Sequence, residues 1–231
     1  MLCVTKYWDQ FVLSKHKLLS TIAYKINGKI CYALEGSIFI AGAVVQWLRD
    51  SINIIDKADQ VGHLASKAKD QDIYFVPAFT GLGAPYWDSN ARGAIFGLLR
   101  DTGREEIALA ALESIGFQTR DLLEAMIKDV KGMKIDRVKL RVDGGMTQSR
   151  LTMKILANLT GVEINIPTIQ ESTAKGVAWL AGMRAGLYDQ LEVFEKEWAL
   201  KETFSPLISA NERDKKYKGW KEAVGKTGTS T

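Results

Sequence analysis

Between Val138 and Ile166 the sequence sets a strand, a glycine turn, a helix, a second glycine and another strand in immediate succession, an order that few folds outside the α/β class accommodate. Val138-Lys139-Leu140-Arg141-Val142 alternates with period two, as a half-buried strand does. Asp143-Gly144-Gly145 breaks the alternation. A helix is expected from about Thr147, with Leu151, Ile155 and Leu159 along one face and Gly161 at its end. Val162 to Ile166 then reads as a strand stopped by Pro167.

The rest of the chain continues the pattern. Leu18–Ile26 and Lys29–Leu34 are β-rich runs joined by Asn27-Gly28, a pair that accepts the positive φ angles of a two-residue hairpin turn. Ser37 is placed to cap a helix carrying Ile38, Ala41, Val45 and Leu48. Gly42 would lie inside that helix, where it costs about 0.5–1 kcal/mol relative to Ala. Such a glycine implies close packing or the approach of a ligand. Asp72–Pro77 and Ala94–Leu98 read as short strands around an irregular, aromatic loop, Phe79 to Asp88. Arg104–Val130 is a long helix with Ile107, Ala111, Ile115, Leu122, Met126 and Val130 on or near one stripe, closed by Gly132. After Glu171-Ser172-Thr173 another helix carries a small-residue face of Ala174, Ala178, Ala181, Gly182 and Ala185. From about Glu192 the chain reads as a charged helical appendage anchored by Trp198 and Trp220. This alternation predicts one α/β domain, with helices on both faces of a mixed sheet.

Composition narrows the function classes. With 46% hydrophobic and 25% charged residues the chain has an ordinary globular balance. The net charge of +4 is spread out; Arg213, Lys215, Lys216, Lys218 and Lys221 form the nearest thing to a basic patch. A nucleic-acid footprint would gather such residues on one face with stacking aromatics, so a solvated helix and no nucleic-acid partner are expected. Cys3 and Cys31 stand in no metal or redox spacing, and His16 and His63 lie near no second ligand cluster, so neither zinc nor any other metal site is expected. The apolar stretch Ile38–Leu48 is far shorter than the roughly 20 residues of a membrane span. With no signal peptide legible after Met1, a soluble cytoplasmic protein is expected.

A strand, a Gly-Gly pair and a helix N-terminus together can cradle an anion, because unpaired N–H groups and the helix dipole face it. Gly-Gly after a strand is equally an ordinary tight turn. Neither a dinucleotide fingerprint nor a Walker loop is present. Glu171-Ser172-Thr173 reads first as a helix cap. Tyr86-Trp87 could wall a binding site or fill core. Asp88, Asp101 and Asp143 are scattered, with no pair spaced for acid–base work.

Several longer segments are recognisable. "YALEGSIFIAGAVVQWLRD" (Tyr32–Asp50), "PAFTGLGAPYWDSNARGAIFGLLR" (Pro77–Arg100), "ALESIGFQTRDLLEAM" (Ala111–Met126) and "LRVDGGMTQSRLTM" (Leu140–Met153) resemble the carboxy-terminal half of the FGGY carbohydrate kinases. The match runs from about Ser14 to about Val224 and extends through Glu171–Gly182. The wording of Pro77–Leu98 is closer to the glycerol kinases than to the xylulose, gluconate or ribulose kinases.

The resemblance implies an actin-like, ribonuclease-H-like ATPase lobe, with residues 1–231 a single carboxy-terminal lobe, 1–13 a divergent start and 192–231 the appendage. It also implies ATP or ADP with Mg²⁺ in a cleft between two lobes. Gly42 and Gln46 would border the nucleotide, and Gly144 and Gly145 would form the backbone turn beneath it. Ser149 stands where family members usually carry Asn, and its shorter side chain could reach the nucleotide only through a water. The amino-terminal lobe of the family binds glycerol, supplies the catalytic Asp and most Mg²⁺ ligands, and carries the first phosphate loop. None of these falls within the 231 residues, so no catalytic residue is expected here. A second phosphate loop, Gly-Thr-Gly, would fall just before Met1, and residues 3–11 depart from the Asn-Thr-Gly loop of the family. A split enzyme, a fragment, a nucleotide-binding or interface module and a decayed gene product are all compatible with this. Loss of a partner lobe would expose apolar surface and favour self-association.

Overall fold

The computed structural model describes residues 2–69, 71–130, 138–169, 171–188 and 199–228. Strands β1 (Leu2–Trp8), β2 (Leu19–Ile26) and β3 (Lys29–Ile38) form an antiparallel sheet in the order β1-β3-β2. The β2–β3 hairpin turns on Asn27 and Gly28 at φ 50° and 79°, as its sequence requires. Helices α1 (Gly42–Asp50) and α2 (Gln60–Ala65) follow, then the antiparallel pair β4 (Tyr74–Val76) and β5 (Ala94–Phe96). The long helix α3 (Arg104–Asp129) precedes β6 (Lys139–Arg141), a 3₁₀ turn (Gly145–Gln148), α4 (Arg150–Thr160) and β7 (Glu163–Pro167). Helix α5 (Ser172–Arg184), β8 (Leu200–Phe204) and α6 (Ala210–Thr227) complete the order. β7 pairs parallel with β6 and antiparallel with β8, so this sheet is mixed, as expected of an α/β domain.

Four expectations are corrected. The first helix does not begin at Ser37. β3 runs on to Ile38 because β1 pairs with it from Trp8↔Tyr32 to Leu2↔Ile38, and Ser37 is a buried strand residue. Gly42 consequently opens α1 instead of lying inside it. The helix expected from Thr147 begins at Arg150, where the Ser149 hydroxyl accepts the N–H of Thr152 as an N-cap. The small-residue face of α5 is exposed apart from Gly182, since no described element packs over it. Glu171 holds the N-cap position of α5 without a side-chain cap bond.

The described part of the expected appendage is built into the fold. β8 closes the edge of β7, and α6 drives Trp220 to full burial, stacked on Phe117 of α3 with ring centroids 5.3 Å apart. Gly219 makes this approach possible, because a Cβ there would overlap the Tyr74 ring. Trp198 and Gly132 lie outside the described residues, as does the side chain of Cys3.

α3 carries the core. Ala108, Ala111, Leu112, Ile115, Phe117, Leu122, Leu123 and Met126 are all buried. One carboxylate shares that interior. Asp121 accepts from the Tyr217 hydroxyl at 2.6 Å and Trp220 Nε1 at 2.8 Å, with Lys221 Nζ at 3.5 Å. Burial pushes its pKa up against the opposing pull of Lys221 and the two donors. At the far end of α3, Asp129 accepts from Ser14 Oγ, the Lys15 N–H and His16 Nδ1. There burial opposes ionisation, but the hydrogen bonds outweigh it and hold the carboxyl below its usual value.

Because the folded pKa of Asp121 is raised, the native state binds that proton more tightly than the unfolded chain. The stability this lends is complete below the unfolded pKa and is lost as pH rises through the folded one. D121N cannot titrate. Urea unfolding from about pH 4 to about pH 8 should show the wild type losing stability relative to D121N as pH rises, and a constant difference between them would refute the assignment.

Candidate functional site

The expected site residues come from two places in the fold. Gly42 opens α1, and Gln46 lies one turn further along it, exposed. Gly144 and Gly145 form the bend between β6 and α4, and Ser149 stands at the start of α4.

The tertiary structure brings Gly42 against the second group. A Cβ on Gly42 would lie 3.4 Å from Met146 Sδ and 3.6 Å from its Cγ. Met146 is thus the side chain that joins α1 to the glycine turn. Sequence reasoning missed it because a methionine reads as core filler; its position directly after Gly-Gly was the available signal. Ser149 is drawn elsewhere. Its hydroxyl accepts from Thr152 Oγ1 at 2.8 Å and from the Thr152 N–H at 3.3 Å, and it lies near Gly62 of α2.

The turn is shaped as an open floor. Gly144 adopts φ 85° and ψ 176°, a region reached almost solely by glycine. The Gly144 carbonyl takes both the Thr147 N–H at 3.1 Å and Thr147 Oγ1 at 2.7 Å, which tightens the bend. A Cβ on Gly144 or Gly145 would meet nothing within 4 Å. The space over both glycines is therefore open, and the first N–H groups of a helical turn have no partner inside it. Such a floor accepts an anionic group close to the backbone.

Other features stand apart from these five residues. An open hollow of about 670 Å³, lined by Trp47, Phe75, Phe79, Arg92 and Ile95, includes none of them. Trp47 meets Phe75 edge-on at 5.4 Å and Phe79 at 5.1 Å, so the rings chiefly pack on one another. Tyr86 is half-buried and its hydroxyl lies 2.7 Å from Lys221 Nζ, whereas Trp87 is 46% exposed and donates from Nε1 to the Lys17 carbonyl. Among the described residues no group of three or more His, Cys, Asp or Glu side chains could hold a metal ion, and no helix is long and apolar enough to cross a membrane.

The two glycines of the turn should respond differently to substitution. G144A is expected to cost about 1–3 kcal/mol of stability through its backbone angle, and G145A to stay within about 0.5 kcal/mol. Urea unfolding of the two variants checks this; equal losses would mean that Gly144 is not held at positive φ.

Comparison with known proteins places the arrangement. Residues 9–185 match the model of the FGGY family of carbohydrate kinases, C-terminal domain. The glycerol kinase of Chelativorans sp. is 52% identical over 223 residues, 96% of this chain and 44% of that protein. The glycerol kinase of Rhizobium rhizogenes is 55% identical over 217 residues, again 44% of its length. The chain therefore spans a little under half the length of these curated relatives. Among solved structures, Plasmodium falciparum glycerol kinase with ADP superposes with a TM-score of 0.87 at 32% identity, over 99% of this chain and 46% of that one. Xylulose kinase from Lactobacillus acidophilus shares the fold with a TM-score of 0.83 at 24% identity. A family match over most of the chain agrees with the α/β architecture built around the Gly144–Gly145 turn, and this chain belongs to the FGGY family of carbohydrate kinases, whose C-terminal domain it carries.

Proposed function

We propose that this chain is the nucleotide-holding part of a glycerol kinase, an enzyme that transfers the γ-phosphoryl group of ATP to glycerol to give glycerol 3-phosphate. The observation that carries the reading is the meeting of Gly42 at the start of α1 with Met146 beside the open Gly144-Gly145 floor. The relatives supply the rest: glycerol kinases at 52–55% identity match along nearly the whole chain.

The residues fit a nucleotide. Gly144 and Gly145 leave room for an anion to approach the backbone, and the turn N–H groups and the positive end of a helix favour it there. Gly42 removes the side chain that would otherwise narrow the gap, while the Gln46 amide offers both a donor and an acceptor at the rim. Ser149 serves the site by fixing where α4 begins, and its hydroxyl is committed to that cap. Mg²⁺, which would accompany ATP, neutralises phosphate charge, and in this reading its ligands come mainly from the other lobe of the kinase. Phosphoryl transfer rests on positioning and on electrostatic stabilisation of the transferring group. The chain alone is therefore expected to bind nucleotide without turning it over.

A calorimetric titration with millimolar ADP, followed in parallel by the fluorescence of the six tryptophans, tests the site. Binding that G145V abolishes without unfolding the chain is expected, and the absence of heat and of any fluorescence change would sink the reading. Mixing the chain with the amino-terminal lobe of a relative glycerol kinase should restore glycerol phosphorylation. No activity at any ratio would restrict the function to binding.

The exposed side of α5 supports a partner lobe. Val177 is 63% exposed and Leu180 44%, beside the exposed Ala174, Ala178 and Ala181. In the isolated chain this face is expected to drive self-association. Light scattering should show mass rising with concentration and V177E/L180E lowering it toward the monomer; a wild type monomeric across a wide concentration range would refute this.

A further inference from the structure

The connection that delivers α1 to the site has no cap of its own. Ala41 occupies the N-cap position at φ −115° and ψ −96° and makes no side-chain cap bond. The α1 ladder begins with the Val44 N–H on the Ala41 carbonyl at 3.0 Å. The Ile40 carbonyl, one residue earlier, precedes that ladder in a residue only 9% exposed. Its partner comes from across the core: Gln118 of α3 donates from Nε2 to the Ile40 carbonyl at 3.2 Å and to the Ser114 carbonyl at 3.2 Å. Gln118 sits between the buried Phe117 and Thr119 on α3. One amide nitrogen thus ties the backbone of α3 to the residue pair that precedes Gly42.

We infer that Gln118 is a positioning residue for α1, and this rests on the reading that α1 and the Gly144–Gln148 turn border a nucleotide. Its bond to the Ile40 carbonyl sets the height of the N-terminus of α1 against α3, and with it the gap between Gly42 and Met146. Gln118 acts through α1 and touches no ligand. The chemistry is specific. Glutamate has nearly the same shape but presents no N–H, methionine fills the space without donating, and asparagine is one methylene too short for the same reach. A carbonyl deprived of its partner at this depth loosens the segment that carries it.

Hydrogen exchange of residues 40–46 and the dissociation constant for ADP, measured on the full chain, test the inference. Q118M and Q118E are expected to raise exchange in that segment about tenfold and to weaken ADP binding about tenfold. S114A, which removes a side-chain bond to Ala111 within α3, should change thermal stability while leaving both readouts within about twofold. Q118K keeps a donor and should retain the protection, which covers the case in which Q118M fails to fold. Unchanged exchange at residues 40–46 in Q118M or Q118E, or loss of protection in Q118K equal to theirs, would overturn the assignment. If the wild type binds no ADP, the nucleotide reading fails, while the exchange comparison still decides whether Gln118 positions α1.

Discussion

A helix buried on most of its circumference has to be enclosed by the rest of the chain, and α3 imposes that condition here. Its interior residues from Ala108 to Met126 are nearly all shielded from water, so one amphipathic face against one sheet would not satisfy it. α1, α2, α4, β1, β3 and β4 all pack against it, and α6 reaches it through Trp220. Burial of side chains the size of Phe117, Leu122 and Trp220 contributes on the order of 1.5–3 kcal/mol each. The placement of these elements follows from where each touches this helix.

That enclosure gives the polar contacts their particular roles. Asp121 lies inside the wall between α3 and α6, where a carboxylate costs free energy unless its lone pairs are taken. Tyr217, Trp220 and Lys221 take them, which fixes the register of α6 on α3. Asp129 does the same for the Ser14–His16 loop at the other end. Gln118 belongs to this series. It uses a part-buried amide to hold a backbone connection, and that connection leads to Gly42. A helix that organises the core therefore also sets one wall of the candidate site.

Much of the fold was legible from residue order. The Asn27-Gly28 turn, the long helix from Arg104, the strand ending at Pro167 and the glycine end of α4 at Gly161 were all set by local chemistry, and all are present. Two of the errors share one cause. Ser37 looked like a helix cap because its neighbours permit one, yet pairing with β1 kept it in a strand. Glu192 onward reads as a charged appendage anchored by Trp220 because residues of both charges crowd it, yet Tyr217, Ala223 and Val224 join Trp220 in a buried stripe on α6. In both cases a partner remote in sequence overrode a plausible local choice.

For the candidate site, residue order by itself determined the components: a strand, an Asp-Gly-Gly turn, a helix after it, and a glycine in a helical context near residue 42. Each follows from backbone conformations that few residue types allow. Only the tertiary structure decided that Gly42 opens its helix and that Met146 fills the space between α1 and the turn. Those outcomes depend on the pairing of β1 with β3 and on the contact of Gly42 with Met146, and the direction in which a side chain or a helix end points is settled by packing, which no local pattern encodes.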